Sequence, residues 1–191
     1  MERRSFFRNL GISTLLAGSF GLSRTAQASP SKAYAGKNLA EKRLKELGIT
    51  LPEAPKAMAA YVPFRIVGNM LYVAGQGPIH SEAHPGIGKV GLDLNDEQAY
   101  QAARTTAYNI LAQVKKACDG DLDRVVQCVQ IQGIVNCVDG YKNSPRVING
   151  ASELLRDVFG ERGLGARAAI GTNSLPMNIA CEVLSIFEIR T

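Results

Sequence analysis

Histidine is almost missing from this 191-residue chain, which has two, His80 and His84. They stand four apart beside Pro85 and Gly86, a setting that favours a solvated loop over a helix face able to hold a metal. With both histidines placed there, a Ser-His-Asp triad has no anchor. Cysteine is scarce as well: Cys118, Cys128, Cys137 and Cys181 form no C-x-x-C pair and show no zinc-ligand spacing. Cys128 and Cys181 fall in apolar strand patterns, where cysteine serves as a small hydrophobe, so free, mostly buried thiols are expected. Two disulfide bridges are the alternative in an oxidising compartment. No internal repeat or low-complexity segment is visible, and the apolar run at residues 10–22 is short for a membrane-spanning helix. A G-x-G-x-x-G string at residues 86–91 lacks the strand-turn-helix context of a dinucleotide site, because Leu92-Asp93-Leu94 intervene before the next helix. Neither a metal site nor a dinucleotide site is therefore expected.

Charge of one sign is also less abundant than the total implies. The whole chain carries 22 Lys and Arg against 17 Asp and Glu, a net +5. Residues 1–28 hold four of those Arg and one Glu, so the remainder is 18 basic against 16 acidic, or +2. Without a clustered basic face, that balance argues against a dedicated nucleic-acid binder. The same 28 residues read as a three-part export signal. Arg3-Arg4-Ser5-Phe6-Phe7-Arg8 precede the apolar run, and Ala26-Gln27-Ala28 supply a small-residue cleavage site. The adjacent arginines resemble a twin-arginine leader, which would deliver the protein to the periplasm. An uncleaved anchor or a frayed basic terminus is the other reading.

With 46% hydrophobic and 20% charged residues, the rest fits one domain with a sizeable core. Residues 29–38 read as a linker and 39–191 as the domain. A short helix is expected at 39–47, stopped by Gly48, and a hairpin at 64–67 and 70–74 around Gly68-Asn69. Residues 96–118 carry Tyr100, Ala103, Ala107, Ile110, Leu111, Val114 and Cys118 at helical spacing, with Asn95 or Asp96 as the cap. Residues 124–135 alternate as a long strand with Val125, Val129, Ile131 and Val135 on one side. A second long helix is expected at 144–159, ended by Gly160 and Gly163, and strands at 166–171 and 179–189. The order is that of an α+β domain, a mixed sheet packed against two helices. Both faces of its strands are largely apolar, so the face without helices calls for oligomerisation.

The last strand places Glu182 in a row with Ala180, Leu184 and Ile186, a carboxylate among apolar neighbours. Burying it without a partner would cost several kcal/mol, on the order of what a lone buried charge costs. Arg167, one strand upstream across a turn marked by Asn173 and Pro176, is the local partner expected to pair back antiparallel. On residues alone this pair is equally a site for a small carboxylate and an ion pair stapling two strands.

Longer stretches carry a resemblance. Tyr61-Val62-Pro63-Phe64-Arg65-Ile66-Val67-Gly68-Asn69-Met70-Leu71-Tyr72-Val73-Ala74-Gly75-Gln76, then Ile148-Asn149-Gly150, Arg167, and Leu175-Pro176 through Glu182 resemble the RidA/YjgF family of imine and enamine deaminases. The similarity spans about residues 39–191, with the motifs in matching order. It implies a chorismate-mutase-like fold and a homotrimer with clefts between subunits. It also implies a cofactor-free hydrolysis of 2-imino or enamino acids to 2-keto acids and ammonia. By the same resemblance Arg167 grips the substrate carboxylate, Glu182 positions or activates water, Tyr61 and the backbone at Gly75 line the pocket, and Asn149 lies at its edge. Tyr61 also reads as a core or interface aromatic, and Asn149 as a plain helix-face residue. The chain departs from the better-known members in Ala168-Ala169-Ile170-Gly171-Thr172 and in an extra element at residues 39–55. A binding protein that holds a small carboxylate in the same cleft without turnover is the alternative, and a ribonuclease a third reading.

Overall fold

The structure, a computed structural model, describes residues 39–81 and 85–190. The expected leader, the linker at 29–38 and His84 lie outside the described residues. Helix α1 (Leu39–Glu46) precedes the hairpin strands β1 (Phe64–Val67) and β2 (Met70–Gln76), then helix α2 (Asp96–Ala117) and strand β3 (Val125–Asn136). Helix α3 (Ser144–Phe159) and strands β4 (Ala166–Thr172) and β5 (Cys181–Ile189) complete the chain. The sheet runs β1-β2-β5-β3-β4, antiparallel throughout except for the parallel pair β3 and β4. This is the expected α+β arrangement, with α2 and α3 on one face.

Local chemistry explains the long helices. Asn95 caps α2 through a reciprocal box: its Oδ1 accepts from the Gln98 amide at 2.9 Å, and Gln98 Oε1 accepts from the Asn95 amide at 2.9 Å. Pro145 stands in the first turn of α3, and Gly160, with φ of 69°, takes the left-handed conformation that ends it. The two helices cross where Gly150 faces α2, because a Cβ there would stand 2.1 Å from the Tyr100 carbonyl oxygen. The Ile148-Asn149-Gly150 string thus contains a position that must stay bare for the layer to close. Helix α1 packs on α3 and on the turn at Leu122–Arg124. Its first amides, Leu39 and Ala40, donate to the Asp123 carboxylate at 2.8 and 3.0 Å, a cap supplied from 84 residues away.

The core lies between the helices and the inward rows of the strands. On β5 these are Cys181, Val183, Ser185, Phe187 and Ile189, all buried. The outward row, Glu182, Leu184, Ile186 and Glu188, is half-buried. With Tyr72, Ile134 and Ile170 it forms the face without helices, which is mixed and not largely apolar as expected, because Gln127, Gln130 and Gln132 of β3 stand in the same outward rows. Strand β3 departs from the expected clean alternation. Its register against β5 shifts between Val125 and Gln127 and again between Cys128 and Gln130. Across these shifts the buried side chains are Val125, Cys128 and Ile131, spaced by three, and Val129 is only half-buried.

Candidate active site

Strand β2 loses register with β5 between Val73 and Gln76, so Ala74 and Gly75 form a bulge opposite the start of β5. The Glu182 side chain lies over that bulge. A Cβ built on Gly75 would stand 1.8 Å from Glu182 Oε1 and 2.7 Å from Cδ. Glycine is therefore needed at 75 for the space it leaves, since its backbone is not among the positive-φ positions. The bulge is held from beneath by buried Gln76, whose Nε2 donates to the carbonyls of Ala74 and Gly75 at 3.0 and 3.1 Å.

Glu182, Gly75 and Tyr61 line one cleft of about 1290 Å³. Tyr61 belongs to the segment that links α1 to β1 and is 49% exposed, so it is a wall of the cleft and not a core residue. Its hydroxyl accepts from the Met58 amide at 3.5 Å. Glu182 makes no hydrogen bond or ion pair among the described residues. It keeps its solvation by opening into the cleft instead of by pairing. Lys56 and Arg65 line the same cleft and are likewise without hydrogen bond or ion pair among the described residues.

The expected antiparallel pairing of Arg167 with Glu182 does not occur. Strand β4 is not a neighbour of β5, because β3 lies between them. The eight residues 173–180 do not form a hairpin turn, which takes about 2–5 residues. They carry the chain past the end of β3 to its far side. Arg167 sits opposite Ile131, in the same row as buried Ser185, whereas Glu182 sits opposite Ile134. The two residues therefore occupy opposite faces of one sheet. Arg167 turns toward α3, where Nη1 donates to Asn149 Oδ1 at 2.8 Å and to Ser152 Oγ at 3.2 Å, and Nη2 to the Pro145 carbonyl at 3.4 Å. Arg167 and Asn149 thus form one group and Glu182, Gly75 and Tyr61 another, and neither Arg167 nor Asn149 lines the cleft. The guanidinium has three neutral acceptors and no carboxylate, which leaves its charge available to an anion.

A family model described as "YjgF/chorismate mutase-like, putative endoribonuclease" matches residues 41–189. The chain belongs to the YjgF/chorismate mutase-like family. A Trypanosoma cruzi relative, protein TCP17, is 37% identical over 148 residues, which is 77% of this chain and 92% of that protein. A solved Agrobacterium tumefaciens protein of unknown function is 46% identical and superposes with a TM-score of 0.72 over 80% of this chain and 95% of its own. A Shewanella oneidensis structure that carries the same endoribonuclease designation is 34% identical, with a TM-score of 0.75 over 80% of this chain and all of its own. The RidA/YjgF resemblance read from the motifs, and the fold it implied, therefore hold for this family member.

Several residues at the cleft were not singled out from the sequence: Lys56, Arg65, Gln76, Asn109 and Gln113. For Gln113 a signal existed, a polar side chain on the apolar stripe of α2 between Ile110 and Val114. Among the described residues no group of three His, Cys, Asp or Glu is placed to hold a metal, and His80 is exposed. The four cysteines are buried free thiols. Burial pushes Cys118 up to about 11 and Cys128 and Cys181 up to about 12, which keeps those thiols protonated and poor nucleophiles.

Proposed function

We propose that this protein hydrolyses 2-imino and enamino acids to 2-keto acids and ammonia, in clefts shared between the subunits of a homotrimer. The observation that carries the reading is the division of the site. An unpaired carboxylate faces an open cleft over Gly75, while the guanidinium able to fix a substrate carboxylate faces the other side of the sheet. A second copy is the economical way to bring the halves together, and the face without helices, where Ile134, Ile170, Leu184 and Ile186 stand only half-buried or exposed, is the surface such a copy would cover. Arg167 of the partner subunit, steadied by its own Asn149, then holds the substrate carboxylate in a planar bidentate pair. Glu182 accepts a proton from water as the water oxygen bonds to the imine carbon. The C=N π pair moves to nitrogen, which takes that proton back from Glu182 to give a neutral amino alcohol. Glu182 then accepts the hydroxyl proton as C=O forms and passes it to nitrogen as the C–N bond breaks, releasing ammonia. Such general-base help contributes about 10²–10⁴-fold.

A mixed-subunit experiment tests both chemistry and division. Arg167→Ala and Glu182→Gln proteins, each checked for folding and oligomeric size, are assayed for ammonia release from imino acids made in situ by an amino-acid oxidase. Each alone should be inactive. Assembled together one to one, they should recover about a quarter of the wild-type rate, the share of clefts receiving both intact halves. No recovery refutes the shared site. Wild-type protein that releases no ammonia above background refutes the deaminase and leaves a carboxylate-binding protein in its place.

Small molecules rather than RNA are the proposed ligands, given a net +2 outside residues 1–28 and, among the described residues, two cationic side chains, Lys56 and Arg65, at the cleft. The twin-arginine reading of residues 1–28 adds a periplasmic setting to this proposal, with the chain free of the membrane once cleaved.

A further inference from the structure

The cleft holds far more than Glu182 needs. At about 1290 Å³ it exceeds the ~300–1,000 Å³ of most small-ligand pockets, leaving room beyond the carbons that would react. Two carboxamides of α2 line it one turn apart on the same helix face, Asn109 and Gln113. Each has one N–H of its NH₂ group bound to a backbone carbonyl. Asn109 Nδ2 donates to the Gly77 carbonyl at 3.0 Å, and Gln113 Nε2 donates to the Pro55 carbonyl at 2.6 Å. These partners fix which way each amide points, since a flip would set two acceptor oxygens against each other. The oxygens are therefore what the pair offers to a ligand. Gln113 is 1% exposed, and its buried Oε1 meets no hydrogen-bond donor. Asn109 Oδ1 accepts no hydrogen bond among the described residues.

We infer that the unpartnered oxygens of Asn109 and Gln113 form a second subsite that binds a neutral hydrogen-bond donor at the far end of a carboxylate ligand. It rests on the reading of this cleft as the place where a small carboxylate is held. A buried acceptor without a donor is costly, and a ligand that brings one recovers that cost. An apolar tail of the same size does not, so the subsite discriminates by chemistry and not by shape. Lys56 and Arg65 line the same cleft and disfavour a cationic tail, which narrows the donor to a carboxamide, a ureido group or a hydroxyl. Between the two ends the wall is apolar, with Met58, Pro63 and Ile179, and suits a short methylene chain. Because Oε1 is closed to bulk water, the segment at residues 55–63 yields as the donor enters, with Pro55 tied to the same carboxamide.

The test compares two stable carboxylates of equal shape, 4-carbamoylbutanoate and 5-methylhexanoate, binding to the intact protein by calorimetry. The amide should bind about tenfold or more tightly than its branched-alkyl counterpart. Gln113→Leu and, separately, Asn109→Leu should each erase or invert that preference. Equal binding of the two compounds by the wild type, or no binding of either, overturns the subsite. So does an unchanged preference in both variants, each shown to be folded. Failure of the deaminase reads differently: the amide preference would persist in a protein that turns over no imino acid. Conversely, turnover of imino acids without any amide preference would sink the subsite alone.

Discussion

Gly75→Ala is expected to remove activity from the cleft while leaving the fold standing. A Cβ at this position would lie 1.8 Å from Glu182 Oε1, 2.7 Å from Cδ and 3.0 Å from Cγ, all three on one side chain. No backbone atom is among these nearest neighbours, so relief comes from the carboxylate alone. Moving Oε1 from 1.8 Å out to no less than 3.0 Å is a retreat of about 1.2 Å, into a cleft with ample room. Rotating a side chain away from its preferred rotamer costs about 0.5–1.5 kcal/mol. Alanine recovers about 0.5–1 kcal/mol relative to glycine in a strand interior. The two nearly cancel, so stability should stay within about 1 kcal/mol of wild type. Catalysis has no such compensation. A misplacement of about 1 Å in a reacting group costs about 10²-fold, so kcat/KM for a 2-imino acid should fall by about that factor. Urea unfolding and oxidase-coupled ammonia release, run on the same preparation, read the two quantities. Turnover within a factor of about three of wild type would refute the placement of Glu182 over Gly75 as the working geometry. So would unfolding weakened by much more than about 1 kcal/mol, since it would mean the bulge and not the carboxylate had moved.

Three further perturbations follow the same reasoning. Gly150→Ala puts its Cβ 2.1 Å from the Tyr100 oxygen and 2.9 Å from the Arg104 nitrogen, both backbone. It should therefore cost about 2–3 kcal/mol or more in urea unfolding, the opposite outcome from the same substitution at 75. Asp96 is held below its ordinary 3.8 by hydrogen bonds from Tyr141 and Asn143 and by the Arg146 charge, against a weaker opposing effect of burial. Its contribution is complete above the unfolded value and is lost as pH falls through the lower folded value. Asp96→Asn should thus lower stability at neutral pH and flatten the acid limb below about pH 4, measured by unfolding across pH. Replacing Arg3 and Arg4 together with lysine should retain the precursor in the cytoplasm. Cell fractionation with amino-terminal sequencing, which should find Ser29 first in the exported form, checks the leader.

What was legible in the sequence was what local physics decides. The stripe of α2, its cap at Asn95 as one of two candidates, the stop of α3 at Gly160, and the alternation of β5 all came through. They depend on neighbours within a turn or a strand. Strand β3 was found, but two bulges set its burial, and a bulge is a property of the pairing between strands. The candidate site's residues were named one by one through motifs, but their arrangement was not legible. Tyr61, Gly75 and Glu182 converge, Arg167 and Asn149 converge elsewhere, and the chain's own spacing favoured a hairpin that does not form. Gln113 was hidden because a single glutamine on an apolar helix stripe reads as tolerated polarity until its oxygen is found without a donor.

The inserted strand explains why the site takes this divided form. Had β4 turned back into β5, the two would pair directly and Arg167 and Glu182 could share a face as a structural ion pair. Instead β5 slots between β2 and β3, and its parity is fixed by Val183, Ser185 and Phe187, which must face the helices. That parity sends Glu182 outward onto the Gly75 bulge, and it assigns Arg167, in the row of Ile131, to the helix side. A carboxylate with no ion pair does nothing for the stability of the fold. A guanidinium resting on three neutral oxygens contributes modestly at most. The ion-pair reading that was open on residues alone is thereby removed by topology. Under the proposed function, these two side chains act toward a ligand, with a second copy bringing the halves together.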